Sequence, residues 1–130
     1  MTQQRRDDHS TEFGLWLREQ KQIDSSLGFV ATNIDYLWRN YKSKKWMLIE
    51  EKRFGKKPKF PQTAMFELLD RACEKDNNYC GFHYLVFENT SPDDGKIYLN
   101  SKEINKEELI RFLRFEGILF NKEERWRIGA

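Results

Sequence analysis

Apolar and polar positions change period several times along this chain, and each change marks an element. Phe13, Trp16 and Leu17 share one face of a helix that Ser10 or Thr11 can cap and that runs to about residue 22. Residues 24–28, Asp-Ser-Ser-Leu-Gly, form a loop, and residues 29–32 read as a short strand. Apolar and polar residues then mix over 34–41 and again over 46–53, with Lys42-Ser43-Lys44-Lys45 between them, which predicts a β-hairpin. A basic loop over 55–59 leads to Pro61, a residue suited to the first helical position because its missing N–H is not needed there. The helix runs to about residue 75, and Met65, Leu68, Leu69, Ala72 and Cys73 recur at amphipathic spacing. Asp76-Asn77-Asn78 stops it.

Residues 79–88 are rich in aromatic and β-branched side chains and predict a strand. Residues 89–95 predict a turn and residues 96–99 a short return strand. Asn105 caps a last helix to about residue 116 that buries Leu109, Phe112 and Leu113. The order is helix, three strands, helix, strand, then additions. Periodicity alone makes this a mixed α+β domain. Residues 1–10 and 121–130 read as polar and charged tails around one domain over 11–120, with no internal repeat or linker.

A chain of 130 residues, 15% of them aromatic, is enough for one core, and 34% charged residues solvate its surface. No apolar run nears the ~20 residues that span a bilayer, and residues 1–10 lack the apolar centre of a signal peptide. A cytoplasmic location is expected. Cys73 and Cys80 form no CxxC and have no histidine pair nearby, so they are expected to be reduced, mostly buried thiols rather than zinc ligands. The net charge of +2 conceals an asymmetry. Over residues 36–60, Arg39, Lys42, Lys44, Lys45, Lys52, Arg53, Lys56, Lys57 and Lys59 stand against Glu50 and Glu51, a net +7 that leaves −5 for the rest. Clustered lysine and arginine suit a polyphosphate partner, because each neutralised phosphate releases counterions. A solvated hairpin with a lysine-rich turn would look similar.

Side chains alternate along a strand, so Leu48, Glu50 and Lys52 share a face that runs from apolar to charged. The hairpin turn returns the chain, so Asp35 can sit beside Glu50 at the strand ends. Two carboxylates and an ammonium converging there suit a hard divalent cation and a water molecule. A plain ion pair of Lys52 with Glu50 or Glu51 is the simpler reading of the lysine alone. Gln62 shares its helix face with Phe66, Leu69 and Cys73, a face that packs on the sheet. A glutamine there needs a partner, either loop backbone or the Lys52 region. His83, in the aromatic run Phe82-His83-Tyr84, reads as structural. No serine or histidine nucleophile arrangement and no Gly-rich phosphate loop appears.

Asp35, then Glu50-Glu51-Lys52, then a helix carrying Gln62 resembles the PD-(D/E)xK nuclease superfamily over residues 12–87, with Ile34 standing where the name has proline. The second half of the pattern looks most like its restriction-endonuclease-like and Holliday-junction-resolvase-like branches. The resemblance implies a restriction-endonuclease-like core, a central mixed β-sheet flanked by helices. It implies a Mg²⁺- or Mn²⁺-dependent deoxyribonuclease, structure-directed or weakly sequence-specific. Asp35, Glu50, Lys52 and Gln62 would be catalytic. Asp35, Glu50 and the Glu51 backbone carbonyl would hold the metal, and Glu12 on the first helix is a further candidate ligand, as is Glu19. Arg39, Lys44, Lys45, Arg53, Lys56, Lys57 and Lys59 would contact DNA, or RNA, in a homodimer or a larger nucleic-acid-processing complex. The alternative is a nucleic-acid-binding or protein-interaction module of the same fold without cleavage.

Overall fold

The computed structural model describes residues 12–29, 31–59 and 62–116. The expected tails, Pro61 and His9 lie outside the described residues. The chain divides into two compact units, Met1–Thr32 and Asn33–Ala130, and the division falls inside the span expected to be one domain. In the first unit α1 spans Glu12–Glu19, shorter than the spacing suggested. Gln20 takes an extended backbone, and its side-chain amide donates to the Trp16 carbonyl, closing the helix. Two 3₁₀ turns follow, Lys21–Ile23 and Ser25–Leu27. Asp24 caps the second through the Ser26 N–H and hydroxyl, and Gly28, at φ +99°, ends it. The strand expected at 29–32 does not form at Phe29, Ala31 or Thr32, and Val30 lies outside the described residues. A strand persists only where a neighbour completes its ladder, and none of these residues joins the sheet.

The second unit carries an α+β arrangement around a mixed five-stranded sheet in the order β1-β2-β3-β4-β5. The strands are β1 Tyr36–Arg39, β2 Trp46–Lys52, β3 Tyr79–Phe87, β4 Ile97–Leu99 and β5 Lys102–Ile104. β1 and β2 form the expected hairpin, with Tyr36 opposite Ile49 and Arg39 opposite Trp46. β1 stops two residues early because the Asn40 side chain accepts from the Lys42 and Ser43 amides and builds the turn itself. Helix α2, Gln62–Cys73, is the crossover that lets β3 run parallel to β2. β5 was not foreseen. Asn100 and Ser101 both have positive φ, +52° and +74°, as a two-residue hairpin turn demands, and they return the chain along β4.

An apolar core lies on each face of the sheet. Leu48, Phe82 and Tyr84 pack with Phe66 of α2, joined by Leu69 and Cys73. Met47, Ile49, Leu85, Phe87, Ile97 and Leu99 pack with Leu109 and Phe112 of α3, Lys106–Leu113, joined by Cys80. Of the amphipathic set expected on α2, Leu68 and Ala72 face solvent. The face through Gln62, Phe66, Leu69 and Cys73 is the one turned inward. Asn105 caps α3 in a capping box with Glu108. That helix ends at Leu113, short of 116, because Phe115 turns back at φ +61° to bury its ring.

One bulge sets the faces of β3. Trp46 pairs with Tyr79 but Leu48 with Phe82, so β3 carries an extra residue. Gly81, at φ +104°, absorbs it. Tyr79 and Phe82, three apart, therefore both join the α2-side core. The buried Asp70 of α2 accepts from the Tyr79 hydroxyl at 2.6 Å and from the Phe82 amide at 3.1 Å, fastening helix to strand. His83 falls on the other face, as the structural reading expects. Its Nε2 meets the Cys80 carbonyl at 2.8 Å, its Nδ1 meets the Asn100 side-chain amide at 3.0 Å, and its ring packs edge-on against Phe112.

Candidate functional site

Four of the residues singled out in the sequence come together where β1 begins, β2 ends and α2 starts. Asp35 precedes β1 by one residue, so the hairpin register sets it against Glu50. The Asp35 amide donates to Glu50 Oε1 at 3.4 Å, and the Glu51 amide donates to Asp35 Oδ2 at 2.8 Å. These two backbone-to-side-chain bonds hold the segment before β1 against β2 and bring the two carboxyl groups to one strand end. Lys52, two residues beyond Glu50 on the same face, places Nζ 3.5 Å from Glu50 Oε2. The same ammonium donates to Gln62 Oε1 at 3.1 Å. The Lys52 side chain is thus one partner of Gln62. An ammonium has three protons, and two are directed at these acceptors. The third can meet a water or phosphate oxygen.

Glu50 carries the electrostatic tension of the site. It is 4% exposed, beside Leu48 and across the strand pair from the buried Tyr84. Burial, and then the charge of Asp35, push its carboxyl up to about 7, while Lys52 pulls the other way. Burial, and then the Glu50 carboxylate, in turn push the Tyr84 phenol above its ordinary range. Tyr84 escaped the sequence reading because its pairing with Glu50 depends on the parallel register after the Gly81 bulge.

Glu51 points to the opposite face, as alternation requires. It accepts from the Tyr36 hydroxyl at 3.5 Å and pairs with Arg53 at 3.0 Å. Its backbone carbonyl lies between Glu50 and Lys52 along the strand. Glu12 is the exposed first residue of α1, in the first unit, and Glu19 is the last.

The basic segment, continuous in sequence, is divided by the fold. Arg53, Lys56, Lys57 and Lys59 are exposed in the loop that leaves β2 beside Lys52. Lys42, Lys44 and Lys45 occupy the hairpin turn at the other end of β2, about 20 Å away at ~3.3 Å per residue. Arg39 ends β1 next to that turn.

Among the described residues no three His, Cys, Asp or Glu side chains converge as a metal-binding group. The carboxylate donors at this site are two, Asp35 and Glu50. Their oxygens are hard donors of the type magnesium and manganese take with water completing the shell. After burial, the charge of Asp35 is what raises Glu50, and a cation between the two carboxylates would relieve it. Among the described residues no helix is long and apolar enough to cross a membrane. Comparison with protein-family models, curated proteins and solved structures finds no match to this chain.

Proposed function

We propose that this protein is a divalent-metal-dependent nuclease of restriction-endonuclease-like type that hydrolyses phosphodiester bonds in DNA. The observation that carries the reading is the convergence of Asp35, Glu50, Lys52 and Gln62 through one hairpin register and one helix start, with a basic loop alongside. Asp35 and Glu50, with the Glu51 carbonyl, would hold Mg²⁺ or Mn²⁺. When bound, such a cation supplies positive charge to the phosphate and makes water a stronger acid.

The chain's own groups do the rest. Glu50 and Gln62 hold the Lys52 ammonium between them and direct its remaining N–H at the reacting centre. There it orients the attacking water and offsets charge that develops on the phosphate oxygens. Gln62 opens α2, so the positive end of the helix dipole faces the same place. Lys56, Lys57 and Lys59 neutralise backbone phosphates on either side of the scissile bond without reading bases.

The test uses labelled duplex, flap, four-way-junction and single-stranded DNAs with Mn²⁺, together with thermal melts that need no activity. The wild type should cut at least one substrate, and Asp35→Asn and Glu50→Gln should each abolish cutting while keeping the fold. Mg²⁺ should raise the melting temperature of the wild type and leave Glu50→Gln unmoved. DNA binding without any cleavage would favour the non-catalytic binding module. A variant that cuts at the wild-type rate would mean that the site is misassigned.

A further inference from the structure

β1 is one of the two edge strands of the sheet, and all four of its residues are exposed. Three of them are large and apolar: Tyr36 is 52% exposed, Leu37 64% and Trp38 42%. Tyr41, just beyond, is 71% exposed. A row of this kind in water marks a surface that binds something. Its surroundings indicate what. Over residues 36–45 the chain carries Arg39, Lys42, Lys44 and Lys45 and no acid. The Trp38 indole N–H donates to the Leu113 carbonyl at 2.7 Å, which holds the ring in one orientation. Tyr36 and Trp38 share a face two residues apart, so their rings are offered in succession. Lysines alone would suit a duplex, whose base faces are hidden in the stack. Exposed aromatic rings interleaved with basic side chains suit bases that are unstacked and a backbone that is charged.

We propose that β1 and the turn after it form a stacking platform for single-stranded nucleic acid, running from beside Asp35 to the lysine turn. Unpaired bases lie on Tyr36, Trp38 and Tyr41, and their phosphates meet Arg39, Lys42, Lys44 and Lys45. Tyr36 and Trp38 share the Glu51 face, opposite Glu50 and Lys52, so a bound strand reaches the Asp35–Glu50–Lys52 site by passing round the β1 edge at Asp35. That step rests on the nuclease reading, and it makes the substrate one with an unpaired segment. The binding itself does not depend on cleavage.

Anisotropy titrations without divalent cation test it, using a labelled oligothymidine, an abasic oligomer of equal length and charge, and a duplex of that length. The oligothymidine should bind about 10-fold or more tighter than the abasic strand, the scale of a lost base–aromatic stack. Replacing both tyrosines, Tyr36→Ala with Tyr41→Ala, should narrow that gap to what Trp38 alone supports and leave abasic binding as it was, with an unchanged thermal melt showing an intact fold. Equal affinity for the thymidine and abasic strands, or tighter binding of the duplex, would overturn the platform and leave a surface that meets phosphates only. No binding, with self-association in sedimentation, would overturn it in favour of edge-to-edge pairing of two copies. Cleavage of the same oligothymidine with Mn²⁺ is scored separately. Binding that depends on bases without cutting would count against the nuclease reading alone, and cutting without base-dependent binding against the platform alone.

Discussion

Lys52 and Glu51 are adjacent in sequence and face opposite ways, which makes them a sharp pair for mutation. Lys52→Ala removes the ammonium held by Glu50 and Gln62 and leaves both carboxylates in place. Turnover should fall by at least ~100-fold, the scale of losing a positioned proton-handling group, with DNA still bound. Glu51→Ala should keep most activity, because its side chain meets Tyr36 and Arg53 on the far face. Equal losses in the two variants would refute the register of β2. Glu50 gives a second prediction. Its folded carboxyl titrates near 7 against an ordinary 4.5. The folded state therefore holds this proton more tightly than the unfolded chain does, and metal-free stability falls as pH rises from about 4.5 to about 7. Glu50→Gln removes that penalty and should stabilise the metal-free protein by roughly 1–3 kcal/mol at about pH 8. Urea denaturation across pH measures it. A variant less stable than the wild type at that pH would mean that the charge is not the dominant cost there.

At the scale of elements, the site depends on how α2 sits against the sheet, since Gln62 is delivered by the start of that helix. Asp70 is the fastening, two turns on. Its carboxylate is fully buried, and replacing it removes the acceptor that the Tyr79 hydroxyl and the Phe82 amide share in the core. Asp70→Ala should cost about 2–4 kcal/mol in chemical denaturation. A loss below about 1 kcal/mol would show that those donors find other acceptors. The periodicity of α2 was legible from residues 62, 66, 69 and 73, but Asp70 was not. A carboxylate inside an apolar face reads as an interruption until the strand that supplies its donors is in place.

Over the whole molecule, the fold converts one basic run into two patches at opposite ends of the hairpin. If the loop patch contacts the phosphates around the scissile bond, neutralising Lys56, Lys57 and Lys59 together should flatten the salt dependence of DNA binding by about 2–3 in slope, at ~0.9 per lost phosphate contact. An unchanged slope would place the nucleic acid elsewhere. The chain by itself determined the hairpin, the presence of α2, the Asn105 cap and the sharing of one face by Glu50 and Lys52. Each of these follows from local rules of alternation, helical period and capping, which act over a few residues. Tertiary structure alone decided that Tyr84 lies against Glu50 and that Gln62 meets Lys52. It also decided that β5 completes the sheet and that no strand forms at Phe29, Ala31 or Thr32. Those outcomes turn on the Gly81 bulge, on positive φ at Asn100 and Ser101, and on which strands find a neighbour. Such choices are made by packing between distant segments, and residue spacing carries no record of them.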